Sequence, residues 1–205
     1  MYKLQRLILG PVSANCFVIT CEQTGDIAVV DPGDYNRELL DAFAGNSDKV
    51  KYILLTHRHY DHIQGAAKLK NSTGARIAVH ADDSAALRDP VISHAAAHGL
   101  FQEPTEADIL LQGGDKLSFG NGEIEVFHTP GHSSGGVCYL LGDMLFTGDT
   151  LFAAGSIGRT DLASGSQDAL ICSLKFLFSL DFAGTVYPGH GDFTALERER
   201  KIYFR

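Results

Sequence analysis

Seven consecutive residues, T-H-R-H-Y-D-H at 56–62, place three histidines and an aspartate directly after the apolar run V-K-Y-I-L-L. Imidazole nitrogens and carboxylate oxygens are the donors that zinc, iron and manganese accept, and an ordinary strand-to-helix turn has no use for four of them. Alternate side chains of an extended segment share a face. His57, His59 and Asp61 are therefore expected to project together from a strand end, with His62 opening the next helix and turning toward the same cavity. A compact H-x-H-x-D-H cluster suits two ions better than one, because two divalent charges need carboxylates as well as neutral imidazoles, and Asp61 supplies one.

Three later segments offer matching donors at strand ends beside glycines: F-H-T-P-G-H-S-S-G-G with His128 and His132, L-F-T-G-D-T with Asp149, and V-Y-P-G-H-G with His190. Glycine lets the backbone approach a site closely, and loops on a rigid sheet can bring donors together from distant parts of a chain. A lone loop histidine is ordinarily a surface or core residue. The 56–62 cluster changes that reading, since burying so many polar groups without a metal would be costly. His80, His94, His98 and His128 are read as non-ligands. His94 and His98 have i, i+4 spacing but no carboxylate or glycine turn nearby, His80 ends a strand, and His128 precedes the T-P-G turn.

The elements that must carry these donors are mostly short strands. K-L-Q-R-L-I-L, N-C-F-V-I-T, D-I-A-V-V-D and V-K-Y-I-L-L-T fill the first quarter, followed later by R-I-A-V-H, K-L-S-F, E-I-E-V-F-H, G-V-C-Y-L-L, D-M-L-F-T and T-V-Y-P. Helices are expected over 37–43, 63–70, an Ala-rich 82–98, 166–178 and 195–201. This succession predicts an α+β domain spanning 1–205, with two mixed sheets face to face and helices outside.

Composition narrows the function. The chain has 205 residues, 44% hydrophobic and 20% charged, as a globular protein does. A net charge of −8 argues against a nucleic-acid partner and gives no support for binding an anionic membrane. Nothing approaches the roughly 18 apolar residues of a membrane span. The start carries Lys3 and Arg6, but Leu7–Leu9 is too short for a signal peptide before Gly10 and Pro11, so a cytoplasmic location is expected. Cys16, Cys21, Cys138 and Cys172 are scattered and read as reduced, mostly buried thiols. Arg198, Arg200, Lys201 and Arg205 form the only basic cluster, either an anion grip or a solvated helix face interleaved with Glu197 and Glu199.

T-H-R-H-Y-D-H, T-P-G-H-S-S-G, F-T-G-D-T-L-F and Y-P-G-H-G, in that order, resemble the metallo-β-lactamase superfamily, and most nearly its glyoxalase II-like hydrolases. The resemblance spans nearly the whole chain. It implies a four-layer αββα sandwich with a binuclear site in the cleft between the sheets. By position, His57, His59 and His132 would bind one metal, Asp61, His62 and His190 the second, and Asp149 both. Asp31, in V-V-D-P-G, matches an aspartate that sits behind the ligands and supports them; it could also be an N-cap or Asx-turn residue before the P-G turn, and both roles could hold together. The donor set favours two zinc ions, with iron and manganese also accepted. The substrate implied is a small acyl-thiol such as S-D-lactoylglutathione, attacked by a metal-activated hydroxide, with Asp61 as proton acceptor if its second oxygen is free.

The pattern departs from classical glyoxalase II in two places. The chain ends about fifteen residues after His190, so the C-terminal helical domain is not expected. G-S-I-G-R-T-D at 155–161 replaces a G-C-G-K-F-Y-like stretch and resembles the compact bacterial group; its G-R-T-D also resembles mononuclear iron persulfide dioxygenases. Arg159 would either bind a substrate carboxylate or pair with Asp161. P-G-H-G counts mildly against the dioxygenase, the lack of a signal peptide against a β-lactamase, and the acidic charge against a nuclease. A binding-only protein is the weakest alternative, since no ligand position is lost.

Overall fold

The computed structural model describes residues 1–203. Its first sheet has six strands in sequence order: β1 (Tyr2–Leu9), β2 (Ala14–Cys21), β3 (Ile27–Val30), β4 (Val50–Leu54), β5 (Arg76–His80) and β6 (Ile109–Leu111). β1, β2 and β3 pair antiparallel, and β3 through β6 pair parallel. The second sheet runs β11-β10-β9-β8-β7, built from β7 (Lys116–Phe119), β8 (Gly122–His128), β9 (Val137–Leu141), β10 (Met144–Gly148) and β11 (Thr185–Pro188). Only the β10–β11 pair is parallel.

Alternation along β2 explains the layers. Cys16 and Val18 enter one core, while Phe17, Ile19 and Cys21 enter another, because successive strand side chains point to opposite faces. Registers extend this into rows. Phe17 lies opposite Val30, Val30 opposite Leu54, and Leu54 opposite Ala78. In the second sheet Val126 lies opposite Tyr139 and Tyr139 opposite Phe146. All seven fill the core between the sheets, where the Phe17 and Phe146 rings meet at 5.3 Å. Each such large apolar side chain contributes about 1.5–3 kcal/mol by its burial.

The outer faces are covered by helices. α1 (Arg37–Ala42), α2 (Tyr60–Ile63) and α3 (Ala66–Thr73) bury Leu39, Ile63 and Leu69 on the first sheet. α4 (Gln167–Ser179) and α5 (Leu196–Tyr203) bury Leu170, Leu174, Leu177 and Leu196 on the second. The expected α+β, four-layer αββα sandwich is what forms. No helix among the described residues is long and apolar enough to cross a membrane.

Three expectations need correction. The 82–98 segment is not one helix: a 3-10 turn covers Ala81–Leu87, another Ala96–His98, and bends lie between. Pro90 lacks the N–H a helix needs and restricts Asp89 before it, and the Asp89 carboxylate takes the Val91 N–H instead. The expected 63–70 helix is divided into α2 and α3, with the chain turning at Gln64 and Gly65. The short edge strand β6 was not expected at all; three residues are too few for alternation to register. Cys16, Cys21 and Cys138 are buried free thiols, and Cys172 is exposed.

Candidate metal centre

The donor-bearing loops all follow strand ends at one edge of the sandwich. His57 lies three residues beyond β4, Asp149 directly follows β10, and His190 lies two residues beyond β11. His132 sits in the loop between β8 and β9. The division of 56–62 differs from simple alternation. α2 begins at Tyr60, so Asp61 and His62 are both helical and Asp61 does not continue the face of His57 and His59. Donor atoms of His57, His59 and His132 lie within 4.8 Å of one another, and those of Asp61, His62 and His190 form a second such group.

Outer hydrogen bonds fix which ring nitrogen faces inward, because a nitrogen that donates leaves the other with its lone pair. His132 Nδ1 donates to the Arg159 carbonyl at 2.8 Å. His62 Nδ1 donates to Asp31 Oδ2 at 3.0 Å. Thr56 Oγ1 donates to the same Asp31 oxygen at 2.6 Å and is left to accept from His57 Nδ1 at 3.0 Å. In all three rings Nε2 is thereby turned to the interior as a donor to a cation. His59 Nδ1 faces His132 Nε2 at 2.8 Å.

Asp149 lies between the groups. Its Oδ2 is 3.4 Å from His132 Nε2 and 3.7 Å from His190 Nε2, and its Oδ1 is 3.4 Å from His62 Nε2. Asp61 Oδ2 is 3.2 Å from His190 Nε2 and 3.4 Å from His62 Nε2, while no hydrogen bond among the described residues engages Asp61 Oδ1. Gly189 makes this proximity possible: a Cβ there would lie 2.2 Å from Asp149 Oδ1 and 2.8 Å from the His62 ring.

The electrostatics favour a bound cation. Burial, reinforced by neighbouring imidazoles, pushes His57 well below its ordinary pKa, and pushes His59 down to about 2. Burial would also depress His62, but Asp61, Asp149 and Asp31 outweigh it and hold that ring well above its ordinary value. Asp61 shows the reciprocal effect: burial raises its carboxyl, and His62 and His190 override this and hold it well below the usual range. One half of the cluster thus rejects protons and offers lone pairs, and the other draws positive charge inward. His57 Nε2 and Asp149 Oδ1 are buried without any hydrogen-bond partner, an arrangement that costs free energy unless a cation completes it. The donor set therefore fits divalent metal ions.

Asp31 does not cap the P-G turn. Its carboxylate accepts from Thr56 N at 2.7 Å, from Thr56 Oγ1 and from His62. Arg159 pairs with Asp161 through two bonds of 2.7 and 2.6 Å, which raise the guanidinium's pKa and hold the Asp161 carboxyl at about 2. It still borders the cleft, about 360 Å³ in volume, which Val12, Tyr60, His94, His98 and Leu162 line with the donors. The C-terminal cations lie elsewhere. Lys201 pairs with Glu197, and Arg200 borders a separate depression near 179–183. Arg205 lies outside the described residues.

Several residues at the site escaped the sequence reading. Asn15 donates to the carbonyls of Pro188 and Gly191, bracketing His190; its signal was a lone amide in the buried run of β2. His94 and His98, read as non-ligands, border the cleft: the His98 ring lies 4.7 Å from that of Tyr60, tilted at 38°, and the His94 ring 5.2 Å from that of His59. Asp83 is buried between two donor loops.

A family model described as the metallo-beta-lactamase superfamily matches residues 9–190. An uncharacterised Mycobacterium tuberculosis protein is 37% identical over 94% of this chain and 92% of its own length. The Haemophilus influenzae hydroxyacylglutathione hydrolase GloC is 30% identical over 93% of both chains. Among solved structures, the BLEG-1 B3 metallo-beta-lactamase superposes with a TM-score of 0.89 at 32% identity over 98% of this chain and 97% of its own. A di-iron-bound form of TTHA1623 gives 0.82 at 34%, over 96% and 97%. ETHE1 from Myxococcus xanthus gives 0.81 at 27%, over 97% and 82%. With the family model, the layered fold and the ordered donor loops in agreement, this chain belongs to the metallo-β-lactamase superfamily, whose members are mostly hydrolases.

Proposed function

We propose that the protein is a binuclear metal-dependent hydrolase of a small acyl-thiol, of the glyoxalase II type, with S-D-lactoylglutathione as the model substrate. The observation that carries this reading is the inward set of Nε2 atoms of His57, His62 and His132, facing carboxylates and buried atoms that lack partners. His57, His59 and His132 would hold one divalent ion and Asp61, His62 and His190 a second, with Asp149 reaching both; zinc suits this set, and iron or manganese are accepted. When bound, such ions lower the pKa of a shared water toward neutrality and polarise a carbonyl.

The chain's own residues do the rest. Asp31 and the Arg159 carbonyl keep His62 and His132 in the tautomers that face inward. Asp61 has one oxygen that no hydrogen bond among the described residues engages, and that oxygen would take the proton of the attacking water. Val12, Tyr60 and Leu162 give the acyl chain an apolar wall that limits water. A thiolate, with an ordinary pKa of about 8.5, leaves without the strong general acid an amide would need. The similarity to GloC supports the same substrate class.

The test is thiol release from S-D-lactoylglutathione by purified, metal-loaded protein, with metal content measured on the same sample. Turnover well above a His57→Ala control with near two ions per chain supports the proposal; no turnover above that control rejects it. A mononuclear iron persulfide dioxygenase, the alternative that G-R-T-D resembles, would instead show one iron and oxygen uptake.

A further inference from the structure

We infer that Asp83 is a positioning residue that locks together the two loops carrying His57, His59 and His132, and so sets the affinity of that half of the centre. The inference rests on the metal-binding part of the proposed function and goes beyond it to a residue outside the donor set. Asp83 is 1% exposed, and its carboxylate bonds run to the two loops that carry His57, His59 and His132. Oδ2 accepts from the backbone N–H of Arg58, between His57 and His59, at 3.1 Å. The same oxygen accepts from Ser133 Oγ, next to His132, at 2.6 Å. Oδ1 accepts from the Gly135 N–H at 3.0 Å.

Gly135 is required for that approach, since a Cβ there would lie 2.6 Å from Asp83 Cγ. The network continues through Arg58. Its buried guanidinium stands 4.0 Å from Asp83 Oδ1 and donates to the Ala163 carbonyl. That carbonyl belongs to the same loop as Arg159, whose own carbonyl orients His132. One carboxylate thus joins three loops that are far apart in sequence. Asp31 does a related task across both halves, bonding His62 of the second and Thr56, whose hydroxyl orients His57 of the first. Asp31 grips a donor ring directly, whereas Asp83 acts through backbone and hydroxyl groups adjoining the donors.

An ionised buried carboxylate is costly to keep unless donors surround it, and here the Arg58 and Gly135 N–H groups and the Ser133 hydroxyl donate to it. Asp83→Asn keeps the volume but turns an amide NH₂ toward at least one donor, so one loop must give way. Residues supporting metal ligands from behind typically change metal affinity by about 10- to 100-fold when altered, and a change of that size is expected.

The experiment titrates metal-free full-length protein with cobalt(II) against a chromophoric chelator, following two binding steps and the cobalt d–d spectrum. His132→Ala and His190→Ala identify which step belongs to which half. In Asp83→Asn the step lost in His132→Ala should weaken about 10- to 100-fold with an altered d–d band, and the other step should stay within about twofold. Ser133→Ala should weaken the same step less. Unchanged constants in Asp83→Asn, or equal weakening of both steps, would overturn the inference. If Asp83→Asn fails to fold by circular dichroism, Ser133→Ala decides: selective weakening supports the inference and unchanged binding overturns it. Wild-type protein that binds fewer than two cobalt ions would refute the metal reading itself. Two ions bound without thioester turnover would refute only the substrate assignment and leave Asp83's role intact.

Discussion

Two regions of this molecule gather histidines and an aspartate, and they differ in what surrounds the nitrogens. At the sheet edge, His57, His59, Asp61, His62, His132, Asp149 and His190 converge with outer bonds that turn Nε2 atoms inward, and the buried His57 Nε2 and Asp149 Oδ1 have no partner. The second group, His80, Asp82 and His128, also brings donor atoms within 4.8 Å. Its two rings instead stack at 4.1 Å and 11°. His128 Nε2 donates to the Ser134 carbonyl, and His80 Nδ1 accepts from Asp82 N. None of that trio's atoms is among the buried atoms lacking a partner. Proximity of donor types is thus a weaker sign of a metal than the state of their hydrogen bonds. A satisfied cluster gains little from a cation, and an orphaned one gains much.

Substitutions can break that comparison. The largest effect is expected for Asp149→Ala, which removes the carboxylate between the halves: thioester kcat/KM should fall by about a thousandfold or more, several kcal/mol of transition-state stabilisation. His80→Ala and His128→Ala should leave both kcat/KM and metal content within about twofold. Asp31→Asn should weaken metal binding about 10- to 100-fold in a chelator competition, while Asp82→Asn leaves it unchanged. Gly189→Ala drives a methyl against Asp149 and His62; metal content and turnover should both drop while the core, judged by far-UV circular dichroism, persists.

The smallest effect is a pH slope. Burial, and then the neighbouring His128, lower the His80 pKa. The unfolded imidazole takes up a proton near its ordinary pKa, about 6.5, and the folded one resists it. Stability should therefore be full above that pH and decline as pH falls below it. His80→Gln should make the Tm decline between pH 7.5 and 5.5 slightly shallower.

The convergence of the candidate donors was legible because T-H-R-H-Y-D-H is too dense for any bland role and because glycines beside His132, Asp149 and His190 marked close backbone approach. The layers were legible too, since β2, β9 and β10 carry alternating apolar faces that only two flanking cores can bury. Local composition failed where a single residue decides. Pro90 and the Asp89–Val91 bond override an Ala-rich stretch of high helix propensity, and a helix that starts at Tyr60 moves Asp61 to the other donor group. Asp83 and Asn15 were invisible for a different reason. Their partners lie 25 or more residues away, at Arg58, Ser133 and Pro188, and no local pattern announces such a bond.

The most direct test is anomalous diffraction at the zinc edge from crystals grown with zinc. Two peaks are predicted, one among His57, His59 and His132 and one among Asp61, His62 and His190, each within reach of Asp149. An absence of peaks there, or a peak at His80 and His128 with none at the sheet edge, would contradict the account.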